Sequence, residues 1–255
     1  MKVIILAGGM GTRLAEYTKT IPKPMVTIGK IPIICHIMNI YLKFGFENYY
    51  IALGYKGHII YNYFSKRKIT EKSYTRNNNF FKQLKFSLNG KSCKITFVGT
   101  GINTMTGGRV KRFEKLINDD QFMLTYGDGL GNINIKKLIN FHKKHGKIVT
   151  VTAVRPPARF GVLDIIKETK VRDFREKPQV DKGWINGGFF IFKREFFKLI
   201  KGDKTILEKA PLEKAAKKGE MYAFKHKSFW HCMDTKRDRD VLEQFYKEKK
   251  FIWAK

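Results

Sequence analysis

The sequence predicts a three-layer α/β protein with a mixed, mostly parallel central sheet, on three observations. Short β-branched or aromatic runs alternate with segments of helical periodicity as far as Val154, which is the pattern of parallel strands joined by crossover helices. The first run ends in a glycine-rich turn, Gly8-Gly9-Met10-Gly11. From Gly161 onward the alternation gives way to what reads as an antiparallel pair followed by a strand and two helices. The length of 255 residues and the 43% hydrophobic content suit one large domain, and no Pro/Ser-rich linker divides it.

In chain order, a strand is expected at Lys2 to Leu6, a helix near Ile33 to Phe44, a strand at Tyr49 to Leu53 and a helix near Gly57 to Phe64. The tract from Arg67 to Lys91, rich in Lys, Asn and Ser with scattered aromatics, shows no clear period and reads as a mobile surface excursion. Strands follow at Lys94 to Val98, Phe122 to Tyr126 and Ile148 to Val154, with helices near Gly107 to Ile117 and Ile135 to His145. The later elements are the pair Gly161 to Ile166 and Lys170 to Lys177, a strand at Trp184 to Phe192, and helices near Thr205 to Lys218 and Arg237 to Lys249. Ligands gather at the carboxyl ends of such parallel strands, which is where Gly8 and Asp128 fall.

The turn after the first strand has the chemistry of a phosphate cradle. Three glycines in four positions let successive N–H groups face one point, and Arg13 and Lys23 add full positive charges. A P-loop requires a different spacing, and the dinucleotide fingerprint wants glycine where Leu14 stands. A tight turn kept glycine-rich for packing accounts for the glycines alone equally well. Thr12, Arg13 and Pro22-Lys23-Pro24 favour phosphate.

The formal net charge of +29 raises nucleic acid or an anionic membrane as partners. Lysines far outnumber arginines and are spread along the chain without a nucleic-acid module, so neither partner is expected. No apolar run is long enough to span a bilayer, and the one at the N-terminus breaks at Gly8, so a cytoplasmic protein is expected. Cys35, Cys93 and Cys232 lack disulfide or zinc spacing and read as plain thiols, and the six histidines show no metal-ligand pattern.

The segment Ala7-Gly8-Gly9-Met10-Gly11-Thr12-Arg13-Leu14 followed by Pro22-Lys23-Pro24 closely resembles the signature of the sugar-1-phosphate nucleotidylyltransferases. The resemblance runs nearly the full chain and is strongest to the glucose-1-phosphate cytidylyltransferase branch. It implies a Rossmann-like nucleotidyltransferase fold, with residues 1–155 as a nucleotide-binding half and 156–255 as a sugar-phosphate-binding half. It also implies Mg²⁺-dependent transfer of CMP from CTP to glucose 1-phosphate, feeding deoxysugar synthesis for bacterial surface polysaccharide, by a homo-oligomer.

Such a transfer needs no covalent protein nucleophile, only alignment and charge neutralisation. The nucleotide site implied comprises Leu6, Ala7, Gly8, Gly9, Met10, Gly11, Thr12, Arg13, Lys23, Thr104, Arg109 and Asp128, with Arg13, Lys23 and Asp128 catalytic. Asp128, between two glycines at a strand end, and Asp234, in Met233-Asp234-Thr235, are the implied metal pair. Each aspartate taken alone is more often a turn or cap residue. Gly161, Glu176, Lys177, Asn186 and Gly187 are the implied sugar-phosphate contacts, although glycines in a strand also mark bulges. Thr104-Met105-Thr106-Gly107-Gly108-Arg109 resembles the cytidylyl branch at the base-reading segment, while a bare helix start looks the same. UTP, dTTP or another hexose 1-phosphate is the alternative substrate, and a non-catalytic sugar-nucleotide or nucleic-acid binder is the rival from another class.

Overall fold

The computed structural model describes residues 1–76, 79–156, 162–166, 170–175, 183–250 and 252–253. The strands are β1 (Lys2–Ala7), β2 (Thr27–Ile28), β3 (Ile31–Pro32), β4 (Asn48–Leu53), β5 (Lys68–Arg76), β6 (Asn79–Leu88), β7 (Lys91–Gly99) and β8 (Gln121–Tyr126). They continue with β9 (Gly129–Gly131), β10 (Val149–Val154), β11 (Val162–Ile166), β12 (Lys170–Arg175), β13 (Ile185–Lys193), β14 (Met221–His226) and β15 (Trp230–Cys232). The helices are α1 (Ala15–Thr18), α2 (Ile33–Leu42), α3 (Gly57–Ser65), α4 (Thr106–Lys111), α5 (Ile135–His145), α6 (Ala210–Lys217) and α7 (Lys236–Lys247).

Among the described residues, nine strands form one sheet in the order β14-β10-β13-β8-β1-β4-β7-β6-β5. The core of that sheet, β8-β1-β4-β7, is parallel throughout, whereas β13 enters antiparallel between β8 and β10. The alternation of β1 explains the layers. Val3, Ile5 and Ala7 pack with Ile37 of α2, Phe64 of α3 and Leu242 of α7, while Ile4 and Leu6 turn to Val110 of α4 and Leu212 of α6. Both faces of the sheet are therefore covered at β1, as in a parallel sheet. Among the described residues no helix is long and apolar enough to cross a membrane.

The tract from Arg67 to Lys91 differs from the expected excursion. It is the hairpin of β5 and β6, which extends the sheet antiparallel from β7. Leu84, Phe86 and Leu88 are buried under α3 on one face of β6. The α4 helix is shorter than expected, because beyond Lys111 the chain tightens into bonds such as Phe113 N to Val110 O and Leu116 N to Phe113 O. The helix expected from Thr205 starts only at Ala210, with Pro211 in its first turn, where a missing N–H is harmless. The second-half pair is present as β11 and β12.

Two local devices serve the carboxyl edge of the sheet. The ribbon of β9 with β15 brings the late chain back to the end of β8, and Met233 N donates to Asp128 O at 2.9 Å. Thr235 and Asp238 then form a capping box that opens α7, fixing Asp234 one residue before the cap.

Candidate active site

Gly11 adopts φ +64°, and a Cβ there would fall 2.9 Å from Thr18 Cγ2 and 3.1 Å from Lys23 Cβ. The turn thus closes tightly enough for the Pro22-Lys23-Pro24 segment to lie against it. Lys23 is only 8% exposed. Its ammonium donates to Asp128 Oδ2 and Asp234 Oδ1, each at 2.7 Å. Arg13, whose side chain is 70% exposed, donates from Nη1 to Asp234 Oδ2 at 2.5 Å. Burial alone would lower the Lys23 pKa, but the two carboxylates outweigh it and hold it above its ordinary value. Burial would likewise raise Asp234, and Lys23 and Arg13 reverse that, leaving it below the usual carboxylate range.

A cavity of about 700 Å³ opens beside this cluster. Leu6, Ala7, Gly8, Gly9, Met10, Gly11, Arg13, Lys23, Thr104, Arg109 and Asp128 all line it. Thr12 does not, being exposed in the short 3₁₀ turn Thr12–Leu14. Arg109 is 4% exposed, and its hydrogen-bond acceptors are neutral: Nη1 donates to Thr100 Oγ1 at 2.5 Å and Gly101 O at 2.8 Å, Nη2 to Ile102 O at 3.2 Å. Burial lowers its pKa, yet a guanidinium stays charged. It forms a cationic floor between the glycine turn and the 100–102 segment.

Asn186 stands at the start of β13, next to a bulge where Val151 pairs Phe190 but Ala153 pairs Asn186. Its Nδ2 donates to Tyr126 Oη at 3.1 Å, and the Gly187 carbonyl accepts from Trp230 Nε1 at 2.8 Å. The bulge therefore lies against the end of β8 without itself lining the cavity. Gly161, Glu176 and Lys177 lie outside the described residues. Sequence reasoning missed Glu208, Lys204 and Tyr126 in the cavity wall. Tyr126 carried a faint signal as the last residue of an apolar strand before Asp128, whereas nothing in Leu207-Glu208-Lys209 marked Glu208.

Among the described residues, Asp128, Cys232 and Asp234 form a group whose ligand atoms lie within 4.8 Å of one another. Burial, reinforced by Asp128, pushes the Cys232 thiol well above its ordinary pKa, so the donors on offer are the carboxylate oxygens. A pair of carboxylates beside this cavity, one of them (Asp128) in its wall, is a donor set that fits a hard divalent ion such as Mg²⁺.

Residues 2–245 match the family model described as nucleotidyl transferase. The chain is 44% identical over 254 residues to the glucose-1-phosphate cytidylyltransferase of Salmonella typhimurium, covering 99% of this chain and 98% of that one. It is 37% identical over 254 residues to a probable glucose-1-phosphate cytidylyltransferase of Bacillus subtilis, covering 99% of each. Its structure resembles the crystal structure of HddC from Yersinia pseudotuberculosis with a TM-score of 0.72 at 26% identity, over 96% of this chain and 99% of that one. With a Rossmann-like mixed sheet, a glycine turn and a carboxylate pair at its carboxyl edge, the chain belongs to the nucleotidyl transferase family.

Proposed function

We propose that the protein is a glucose-1-phosphate cytidylyltransferase: CTP and α-D-glucose 1-phosphate give CDP-glucose and pyrophosphate. The observation that carries the reading is the convergence of Arg13, Lys23, Asp128 and Asp234 at one end of the glycine-lined cavity, in a chain similar over its length to curated cytidylyltransferases. A phosphate oxygen of the sugar phosphate attacks the α-phosphorus of CTP in line, and the bond to the β-phosphate oxygen breaks as pyrophosphate leaves.

The chain's own residues supply orientation and charge. The N–H groups of the Gly8 to Gly11 turn receive the triphosphate, Arg13 neutralises the departing phosphates and Lys23 serves the reacting centre. Arg109 and Thr104 hold the base end, and Lys177 and Glu176 hold the phosphate and hydroxyls of the acceptor. Asp128 and Asp234 would hold Mg²⁺, which would withdraw charge from the phosphate oxygens as a Lewis acid. The protein is taken to act in the cytoplasm as a homo-oligomer, and light scattering of the purified protein checks its oligomeric state.

The deciding experiment is pyrophosphate release from CTP with Mg²⁺, with and without glucose 1-phosphate, repeated with UTP and dTTP. Release that requires the sugar phosphate and is fastest with CTP is expected. Fastest release with another nucleotide transfers the mechanism to that base, and silence with every nucleotide overturns it.

A further inference from the structure

Glu208 joins two walls of the cavity. Its Oε2 accepts from Thr106 Oγ1 at 2.7 Å, and its Oε1 accepts from Tyr126 Oη at 2.6 Å. Thr106 opens α4, three residues before Arg109, while Tyr126 ends β8, two residues before Asp128.

The donors around it leave little choice of side chain at position 208. Thr106 Oγ1 already accepts from Leu207 N at 2.9 Å, and Tyr126 Oη already accepts from Asn186 Nδ2 at 3.1 Å. Each hydroxyl has one proton and directs it to Glu208. A carboxylate accepts from both hydroxyls at once, whereas an amide accepts at one end only and leaves the other to water. The same stretch clasps α4 through its backbone as well, with Met105 N donating to Asp203 O at 2.8 Å and Gly108 N to Thr205 O at 3.1 Å. On the other side the relay continues from Asn186, whose Oδ1 accepts from Gly188 N at 2.8 Å in the β13 bulge.

We propose that Glu208 is a positioning residue that couples the base end of the site to the acceptor end, through Thr106 to α4 and through Tyr126 and Asn186 to the β13 bulge. This rests on the cytidylyltransferase reading for which end is which, but the coupling itself is a property of the fold. Glu208 sets both ends at once, so substrates on either side depend on the same carboxylate.

The test uses the full chain with Glu208→Gln, Tyr126→Phe, Thr106→Val and the double variant Glu208→Gln/Tyr126→Phe. Calorimetric Kd for CTP and KM for glucose 1-phosphate are measured on each. Loss of a hydrogen bond to a charged acceptor corresponds to about tenfold. Glu208→Gln is expected to raise both constants about tenfold, Thr106→Val mainly the first and Tyr126→Phe mainly the second. The double variant should raise KM no further than the larger single change. A Glu208→Gln effect confined to one constant, or multiplicative effects in the double variant, overturns the coupling. Amide hydrogen exchange gives a second readout that needs no turnover. Exchange at 105–109 and at 186–188 should quicken together in Glu208→Gln, and acceleration confined to 203–208 refutes the relay. A wild-type chain inactive toward CTP and glucose 1-phosphate, with the linked exchange intact, would reject the reaction and retain the coupling.

Discussion

Arg109→Lys keeps a charge on the cavity floor while removing the planar fork that holds the adjoining segment. An ammonium is a single donor centre. It keeps at most the Thr100 and Gly101 acceptors that now share Nη1, and it releases Ile102 O, which Nη2 holds at 3.2 Å. Ile102 is 59% exposed, so its freed carbonyl finds water, and the fold should lose about 1 kcal/mol or less. The nucleotide meets a larger penalty. Ile102, Asn103 and Thr104 line the cavity and must be ordered again on binding. Fixing one to two backbone residues costs about 2 kcal/mol, or roughly 30-fold in Kd. Titration calorimetry of CTP into wild type and variant, with urea unfolding of both, separates the two effects. A Kd within twofold of wild type would refute the reasoning, as would a loss of binding matched by an equal loss of unfolding free energy.

The remaining predictions address other residues. Asp128→Ala should nearly abolish turnover, whereas Lys177→Ala should mainly raise KM for glucose 1-phosphate; equal and mild losses in the two variants, measured by steady-state kinetics, would contradict the division of roles. A Cβ on Gly8 would fall 2.3 Å from Arg109 Nη1, while one on Gly9 meets nothing within 4 Å. Gly8→Ala should therefore lower unfolding stability by about 1–3 kcal/mol and Gly9→Ala hardly at all, and similar urea midpoints would exclude the contact. His142 is fully buried, its Nδ1 paired with Thr150 Oγ1 at 2.7 Å, and burial, His145 and Lys193 push its pKa down to about 4. Between about pH 6.5 and pH 4 the unfolded chain therefore binds the extra proton, so this site's stability is complete above 6.5 and lost as pH falls. At pH 5 the loss is about 2 kcal/mol. His142→Gln should show a correspondingly shallower acid decline in unfolding free energy, after allowing for its neighbours His145, Lys147, Lys193 and Glu220, and parallel profiles would discard the assignment.

The parallel half was legible because each strand there is a short apolar run bounded by a glycine or a charged residue, as in Lys2 to Ala7 before Gly8-Gly9. The β5–β6 hairpin was not, because lysines and asparagines swamp its composition. A signal for β6 and its turn into β7 was nevertheless present: Leu84, Phe86 and Leu88 alternate with Lys85 and Ser87, and Asn89-Gly90, both with positive φ, joins β6 to β7. That dipeptide after an alternating run is a hairpin signal in its own right. In the site, Arg13, Lys23, Asp128 and Asp234 could be named from motifs, but their mutual pairing depends on the β9–β15 ribbon, whose strands are three residues each. Glu208 was invisible because its role comes from two hydroxyls far away in sequence, and no local pattern encodes which carboxylate receives them.

The chain's net charge of +29 explains less of the site than its size suggests. Arg13 and Lys23 are matched by Asp128 and Asp234, so that cluster is locally balanced before any substrate arrives. Exposed lysines farther from the cavity than a screening length of about 8 Å in physiological salt act mainly on the encounter rate. Arg109 differs from both groups. It is buried, its acceptors are neutral dipoles, and it faces the cavity, so its charge is neither matched by a carboxylate hydrogen bond nor screened by salt. An anion held in the cavity therefore gains more from this one guanidinium than from an equal charge on the surface. On the proposed reading, whatever fixes Arg109, including the clasp on α4 that runs through Thr106 and Glu208, should act on nucleotide affinity.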